Sequence, residues 1–134
     1  MIVQNNDHRP EAYSEMKTKF RPSHADYTYQ KKFGIRNWQG GGRSSARETI
    51  ARVAGGAVAK KILKQRFGVE VLSYVKQVQK IAADINHEKV KMQDVESNII
   101  RCPEKVVAEK MIRLIERTRK AGNTVGGVIE GVAR

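Results

Sequence analysis

The sequence predicts an α+β fold, and three observations carry the prediction. Residues 44–66 place Ala46, Ile50, Val53, Ala54, Ala57, Val58 and Ile62 at the three-to-four spacing of a single helix face. The run VEVLSYVKQV, Val69 to Val78, alternates loosely and is rich in β-branched side chains, as a strand requires. A second helical stripe, Val107, Met111, Leu114, Ile115 and Thr118, precedes another strand-like run, TVGGVIEGV. At 134 residues the chain accommodates one domain at most, and a single domain over residues 1–134 is expected.

Taken in order, Met1-Ile2-Val3 reads as the tail of a strand, after which the chain turns polar. Residues 21–42 show no helical period. They mix His24, Tyr27, Tyr29, Phe33 and Trp38 with polar types and end in Gly40-Gly41-Gly42, so an ordered loop is expected. The first helix has a start signal. Ser45 and Glu48 stand at the S-x-x-E spacing of a capping box, in which each side chain satisfies a backbone N–H of the other's residue. Gly55-Gly56 interrupts this helix at a cost of about 0.5–1 kcal/mol each relative to alanine. Close packing against a neighbour is the expected reason. Residues 79–98 are polar and predict no element. Pro103 suits the first position of the second helix and Gly122 its C-terminal cap. In the last strand, Gly126, Gly127 and Gly131 point to close approach of another backbone.

Composition bounds the function. A hydrophobic fraction of 40% and a charged fraction of 30% fit a folded soluble protein. No run of 18 apolar residues exists, and the N-terminus lacks the basic and apolar regions of a secretory signal. A cytoplasmic location without a membrane partner is therefore expected. The single cysteine, Cys102, excludes an intrachain disulfide and has no nearby Cys or His to share a metal. We read it as a small packing residue. The net charge of +12 has two explanations: a nucleic-acid backbone, or a compact anionic ligand in a basic cleft. Arg21 to Arg66 holds eleven Lys and Arg against two acids, Asp26 and Glu48. Composition leaves both explanations open. The run Lys60, Lys61, Lys64 and Arg66 reads as a solvated helix end.

The segment 36–48, RNWQGGGRSSARE, is the most informative. Three glycines allow a sharp turn and close approach to a ligand. Arg43, Ser44 and Ser45 follow, and then a helix whose first N–H groups are unpaired. Such an arrangement suits an anion, most naturally a phosphate. Arg47, in the first turn, could reach a second anion. Neither G-x-x-x-x-G-K-[ST] nor G-x-G-x-x-G is present, which argues against the standard nucleotide loops. A solvated glycine loop before an ordinary capped helix is the competing reading. In FRPSHADYTY, residues 20–29, His24 sits among an arginine, an aspartate and two tyrosines. Imidazole is the side chain that ordinarily titrates nearest neutrality, which suits proton transfer. A structural histidine is the alternative. His8 and His87 receive no role.

RPSHADYTY followed by GIRNWQGGGRSSARETIARVA resembles the signature region of chorismate synthases. SNIIRCPE, the AEKMI helix and AGNTVGGVIEGVAR resemble later parts of the same family. The resemblance implies the central part of a β-α-β layered sandwich within a homotetramer. It implies a lyase that converts 5-enolpyruvylshikimate 3-phosphate to chorismate by 1,4-elimination of phosphate, with reduced FMN and no net redox change. The basic stretch would then line a cleft for anions. By resemblance His24 is a catalytic proton donor. Arg43, Ser44 and Ser45 match the FMN-contacting stretch, and Arg47 and Arg21 would meet substrate anions. No metal and no nucleic acid are implied. Whether a nicotinamide cofactor such as NADPH reduces the flavin is left open. The family's other catalytic histidine, in a G-E-S-H-G motif, and its catalytic aspartate have no counterpart here. The chain is thus expected to be a fragment with part of the site, inactive alone. A basic nucleic-acid-binding module and a non-catalytic truncated subunit are the competing functions.

Overall fold

The protein is described by a computed structural model covering residues 2–4, 6–40 and 42–134. Met1, at the head of the expected strand tail, and Gly41, in the glycine triplet, lie outside the described residues. Ile2 and Val3 belong to no strand. The chain divides into two compact units, Met1–Ala57 and Val58–Arg134. None of the described helices is long and apolar enough to cross a membrane.

The first unit opens with a 3-10 helix, Pro10–Lys17. It continues with helix α1, Asp26–Phe33. The expectation of a loop over residues 21–42 is therefore corrected: eight of those residues are helical. No apolar stripe marks α1, because what secures it lies outside the pattern. Its first residue, Asp26, is buried. At its other end Gly34 adopts φ +72° and donates its N–H to Gln30 O at 3.0 Å. A single 3-10 turn, Ala46–Glu48, leads into helix α2, Thr49–Phe67. Ser45 caps that turn, its hydroxyl accepting from Arg47 N–H at 3.4 Å. The reciprocal half of the capping box does not form. Glu48 pairs with Arg43 at 3.2 Å, and Ser45 N–H donates to Gly42 O.

Helix α2 buries none of its residues. Its apolar stripe is present but open, with Val53 71% and Val58 58% exposed. A side chain at Gly55 or Gly56 would meet nothing within 4 Å. The close packing expected at this pair is absent from the described structure. Lys60, Lys61, Lys64 and Arg66 are exposed, as a solvated helix end requires.

The second unit holds the apolar core. Strand β1, Val71–Val78, turns at Gln79-Lys80 into the short β2, Ile81–Ala82. Strand β3, Gly127–Ala133, pairs with β1 on the other side. The sheet is antiparallel throughout, in the order β2-β1-β3, with a bulge between Val75 and Gln77 opposite β3. Between the strands lie helix α3, Met92–Val95, and helix α4, Lys105–Lys120. Helix α4 buries Ala108, Met111 and Leu114 against Val78, Ala83 and Cys102. A second cluster joins Leu72 and Tyr74 to Val90 and Val95. Cys102 is fully buried, which raises its thiol pKa and bears out its reading as a packing residue.

Pro103 stands one residue before the cap of α4, Glu104, instead of opening the helix. The helix ends as expected. Gly122 N–H donates to Arg119 O and Asn123 N–H to Thr118 O, both at 3.0 Å, the paired bonds of a Schellman motif. Of the three glycines in the last run, Gly127 alone explains itself by close approach. A Cβ there would stand 2.7 Å from Gln77 O, while Gly126 and Gly131 have open space. Gly127→Ala forces the β1–β3 backbones apart, and we expect it to destabilise the sheet by about 1–3 kcal/mol, the range for overpacking. Urea denaturation of the variant checks this, and an unchanged midpoint refutes it.

Candidate active site

The first unit is organised around one carboxylate. Asp26 is 2% exposed and is the only buried residue among the described residues of that unit. Arg21 grips it with a two-pronged contact, Nε to Oδ2 at 2.8 Å and Nη2 to Oδ1 at 2.9 Å. The Arg21 backbone N–H adds a third bond to Oδ2 at 3.2 Å. His24 Nδ1 lies 3.0 Å from Oδ1, and Arg36 Nη1 lies 3.9 Å from it. The Arg21 guanidinium holds the Asp26 carboxyl well below the usual carboxylate range, outweighing the opposing effect of burial.

Local backbone geometry makes this convergence possible. Ser23 adopts φ +57°, a left-handed conformation rare outside glycine and costing about 1–2 kcal/mol. It turns the chain between Arg21 and His24, whose N–H donates to Arg21 O at 3.3 Å. Arg36 is anchored from the far side. Its Nη2 donates to the carbonyls of Met16, Lys17 and Lys19, and its guanidinium lies over the Phe20 ring at 4.9 Å. Phe20 in turn meets Tyr27 edge-on, with ring centroids 5.5 Å apart.

A recess of about 330 Å³ opens on this cluster, lined by Tyr13, Arg21, His24, Gly40, Ser44, Ser45 and Ala46. The two sequence-predicted segments therefore meet. Gly40 has φ +77°, and a Cβ there would run into the Tyr13 ring, so the glycine is what lets the second segment lie against the 3-10 helix Pro10–Lys17. Arg47 does not line this recess. It lines a larger one, about 690 Å³, which shares Gly40 and Ser45 with the first and continues along α2 past Ile50 and Ala54. Arg43 lines neither; its side chain is 83% exposed and pairs with Glu48. Tyr13 and Arg36 went unread in the sequence, and Asp26 was seen only as a neighbour of His24. A carboxylate two residues from a candidate histidine was the available signal for Asp26. Nothing local marked Arg36, whose carbonyl partners lie 17 to 20 residues away.

The groups of the lining are ones that can meet an anion and carry a proton. Two serine hydroxyls and a guanidinium face the recess together with an imidazole. Among the described residues no cluster of His, Cys, Asp or Glu could hold a metal ion. The fold and site thus define an α+β protein with a polar recess in which a guanidinium, two serines and an imidazole meet.

Residues 1–134 match the protein family described as chorismate synthase. A chorismate synthase of Acaryochloris marina is 59% identical over 134 residues, covering 100% of this chain and 37% of that protein. One of Crocosphaera subtropica is 58% identical with the same coverage. A crystal structure of a chorismate synthase superposes with a TM-score of 0.63 at 29% identity, over 80% of this chain and 35% of the other. The chain belongs to the chorismate synthase family. It spans little more than a third of the length of these relatives.

Proposed function

We propose that this chain supplies part of the active site of a chorismate synthase, a lyase that forms chorismate from 5-enolpyruvylshikimate 3-phosphate by 1,4-elimination of phosphate with reduced FMN. The observation that carries this is the recess on which Arg21, His24, Ser44 and Ser45 converge, in a chain matched from end to end by that family. The donor set fits the flavin's phosphate. Ser44 and Ser45 offer hydroxyls, and Arg43, exposed at the surface, would leave Glu48 to fold over an anion. Reduced FMN held there would supply electron density transiently to the elimination. Arg21 and Arg47 orient the substrate's carboxylates and phosphate, and His24 holds the proton to be delivered within the site. The basic residues of the first unit, Arg21 and Arg47 among them, would draw these anions toward the recesses, which accounts for part of the positive charge without a nucleic acid. By the same likeness we infer a cytoplasmic homotetramer for the full-length enzyme.

Anaerobic assays with chemically reduced FMN and 5-enolpyruvylshikimate 3-phosphate test this in two arms. The purified chain alone gives no chorismate, because several positioned groups must act together. A chimera in which these residues replace the matching stretch of the Acaryochloris marina enzyme gives chorismate. A folded but inactive chimera, beside an active parent, overturns the proposal.

A further inference from the structure

We propose that Asp26 is a positioning residue for His24: its buried carboxylate holds the imidazole with the proton on Nδ1, which leaves Nε2 as the nitrogen available to the recess. This rests on the proton-transfer role given to His24 above and adds the group that fixes its ring.

The acceptor count on Asp26 points to it. An ionised carboxylate offers about four acceptor sites, two on each oxygen. Oδ2 is filled by the Arg21 backbone N–H at 3.2 Å and Nε at 2.8 Å. Oδ1 takes Arg21 Nη2 at 2.9 Å, which leaves it one site. Two donors stand near that site, His24 Nδ1 at 3.0 Å and Arg36 Nη1 at 3.9 Å. The Arg36 guanidinium is held back by its three backbone carbonyls and by Phe20. His24 is therefore the nearer claimant.

Burial points the same way. His24 Nδ1 is buried and makes no hydrogen bond among the described residues; Asp26 Oδ1, 3.0 Å away, is near enough to take one but lies off its line. Bonds of this kind are often poorly aligned before a ligand closes the site. The side chain as a whole is 26% exposed, so its open surface belongs to the rest of the ring and stem, and His24 lines the recess. An ionised carboxylate can only accept, so a proton shared along this contact must sit on Nδ1. The partner of one ring nitrogen sets the state of the other. Nε2 then carries the transferable proton when the ring is charged and an open lone pair when it is neutral. Arg21 completes the device. It holds both carboxylate oxygens, sharing Oδ1 with the imidazole, and lines the same recess, so one buried anion fixes both a proton carrier and a cation at the ligand's door.

Long-range proton–nitrogen correlation spectra of the 134-residue chain, labelled with 15N in histidine, read the tautomer directly at a pH where the ring is neutral. A His24→Gln variant identifies the resonances. We expect Nδ1 protonated and Nε2 bare in the unmodified chain, and loss of that preference in Asp26→Asn, with His8 and His87 unmoved. An Nε2–H tautomer in the unmodified chain overturns the proposal even if Asp26→Asn does not fold. An unchanged His24 tautomer in a folded Asp26→Asn chain overturns it too. Because the readout needs no flavin or substrate, it stands apart from the lyase assay. A chimera without activity beside an Nδ1–H His24 would remove the function and keep the dyad.

Discussion

Replacing His24 by alanine in the active chimera lowers the turnover rate by about 10²–10⁴-fold, the loss expected when a positioned proton-transfer group is removed. Affinity for 5-enolpyruvylshikimate 3-phosphate changes only slightly. The split follows from geometry. On the proposed assignment the substrate's anions would be met by Arg21 and Arg47, which the substitution leaves in place around their recesses. The imidazole adds little charge recognition to the ground state. What it supplies is a proton held where charge changes during the reaction, and such an interaction appears in kcat rather than in binding. Steady-state rates and equilibrium titration of substrate separate the two quantities. Unchanged turnover would remove His24 from the chemistry. A large loss of affinity at constant kcat would make it a binding group instead.

The second large effect is on stability. Asp26→Ala is expected to cost the first unit about 3 kcal/mol. That is the low end of the range for breaking a buried ion pair by removing one partner, because Arg21 is 26% exposed and can reach water. Arg36 cannot do so; its side chain is 6% exposed, and its Nη1 would lose the only carboxylate near it among the described residues. The same carboxylate predicts a pH dependence. The folded-state pKa of Asp26 lies below its ordinary value of about 3.9, so its contribution is fully present above that value. It is lost as pH falls from there through the depressed folded value. Circular-dichroism melts between pH 7 and pH 2 check both statements. The unmodified chain should lose stability only at the acid end, and Asp26→Ala should be weaker at neutral pH and nearly insensitive to acid in this unit. Equal melting of the two proteins at pH 7 would show that the ion cluster is dispensable.

How much of this was legible in the sequence depends on where each element finds its support. Helix α4 and strand β1 were readable because their own periodicity faces a core, with Met111, Leu114 and Leu72 all buried, whereas β3 was readable from its β-branched run alone and buries none of its residues. Helix α2 was readable as a helix, but its stripe says nothing of what covers it, and the structure leaves it open. Helix α1 was missed because its anchor is a set of ion pairs reaching back to Arg21 and forward to Arg36. Strand β2 was missed because two residues paired across the turn at Gln79-Lys80 carry no pattern, and that turn lacks the Asn-Gly signal of a tight hairpin. The site divides in the same way. His24, Arg21, Ser44 and Ser45 were readable from local motifs, and they do share a recess. The grouping around Asp26 is a tertiary fact. So is the separation of Arg47 into the neighbouring recess and of Arg43 into solvent.

An interior built of charge rather than hydrocarbon also sets how the first unit responds to temperature. Exposure of apolar surface is what gives unfolding its large positive heat capacity and bends the stability curve. A unit whose one buried residue, among those described, is a carboxylate has little such surface to expose. Its free energy of unfolding should run nearly straight with temperature, without the fading on cooling that hydrophobic interiors show. The second unit, with Leu72, Met111 and Leu114 inside, should follow the ordinary dome. The half of the chain that carries the recess and the half that carries the core would then part company in the cold, and the recess would keep its shape where an oil-like interior begins to loosen.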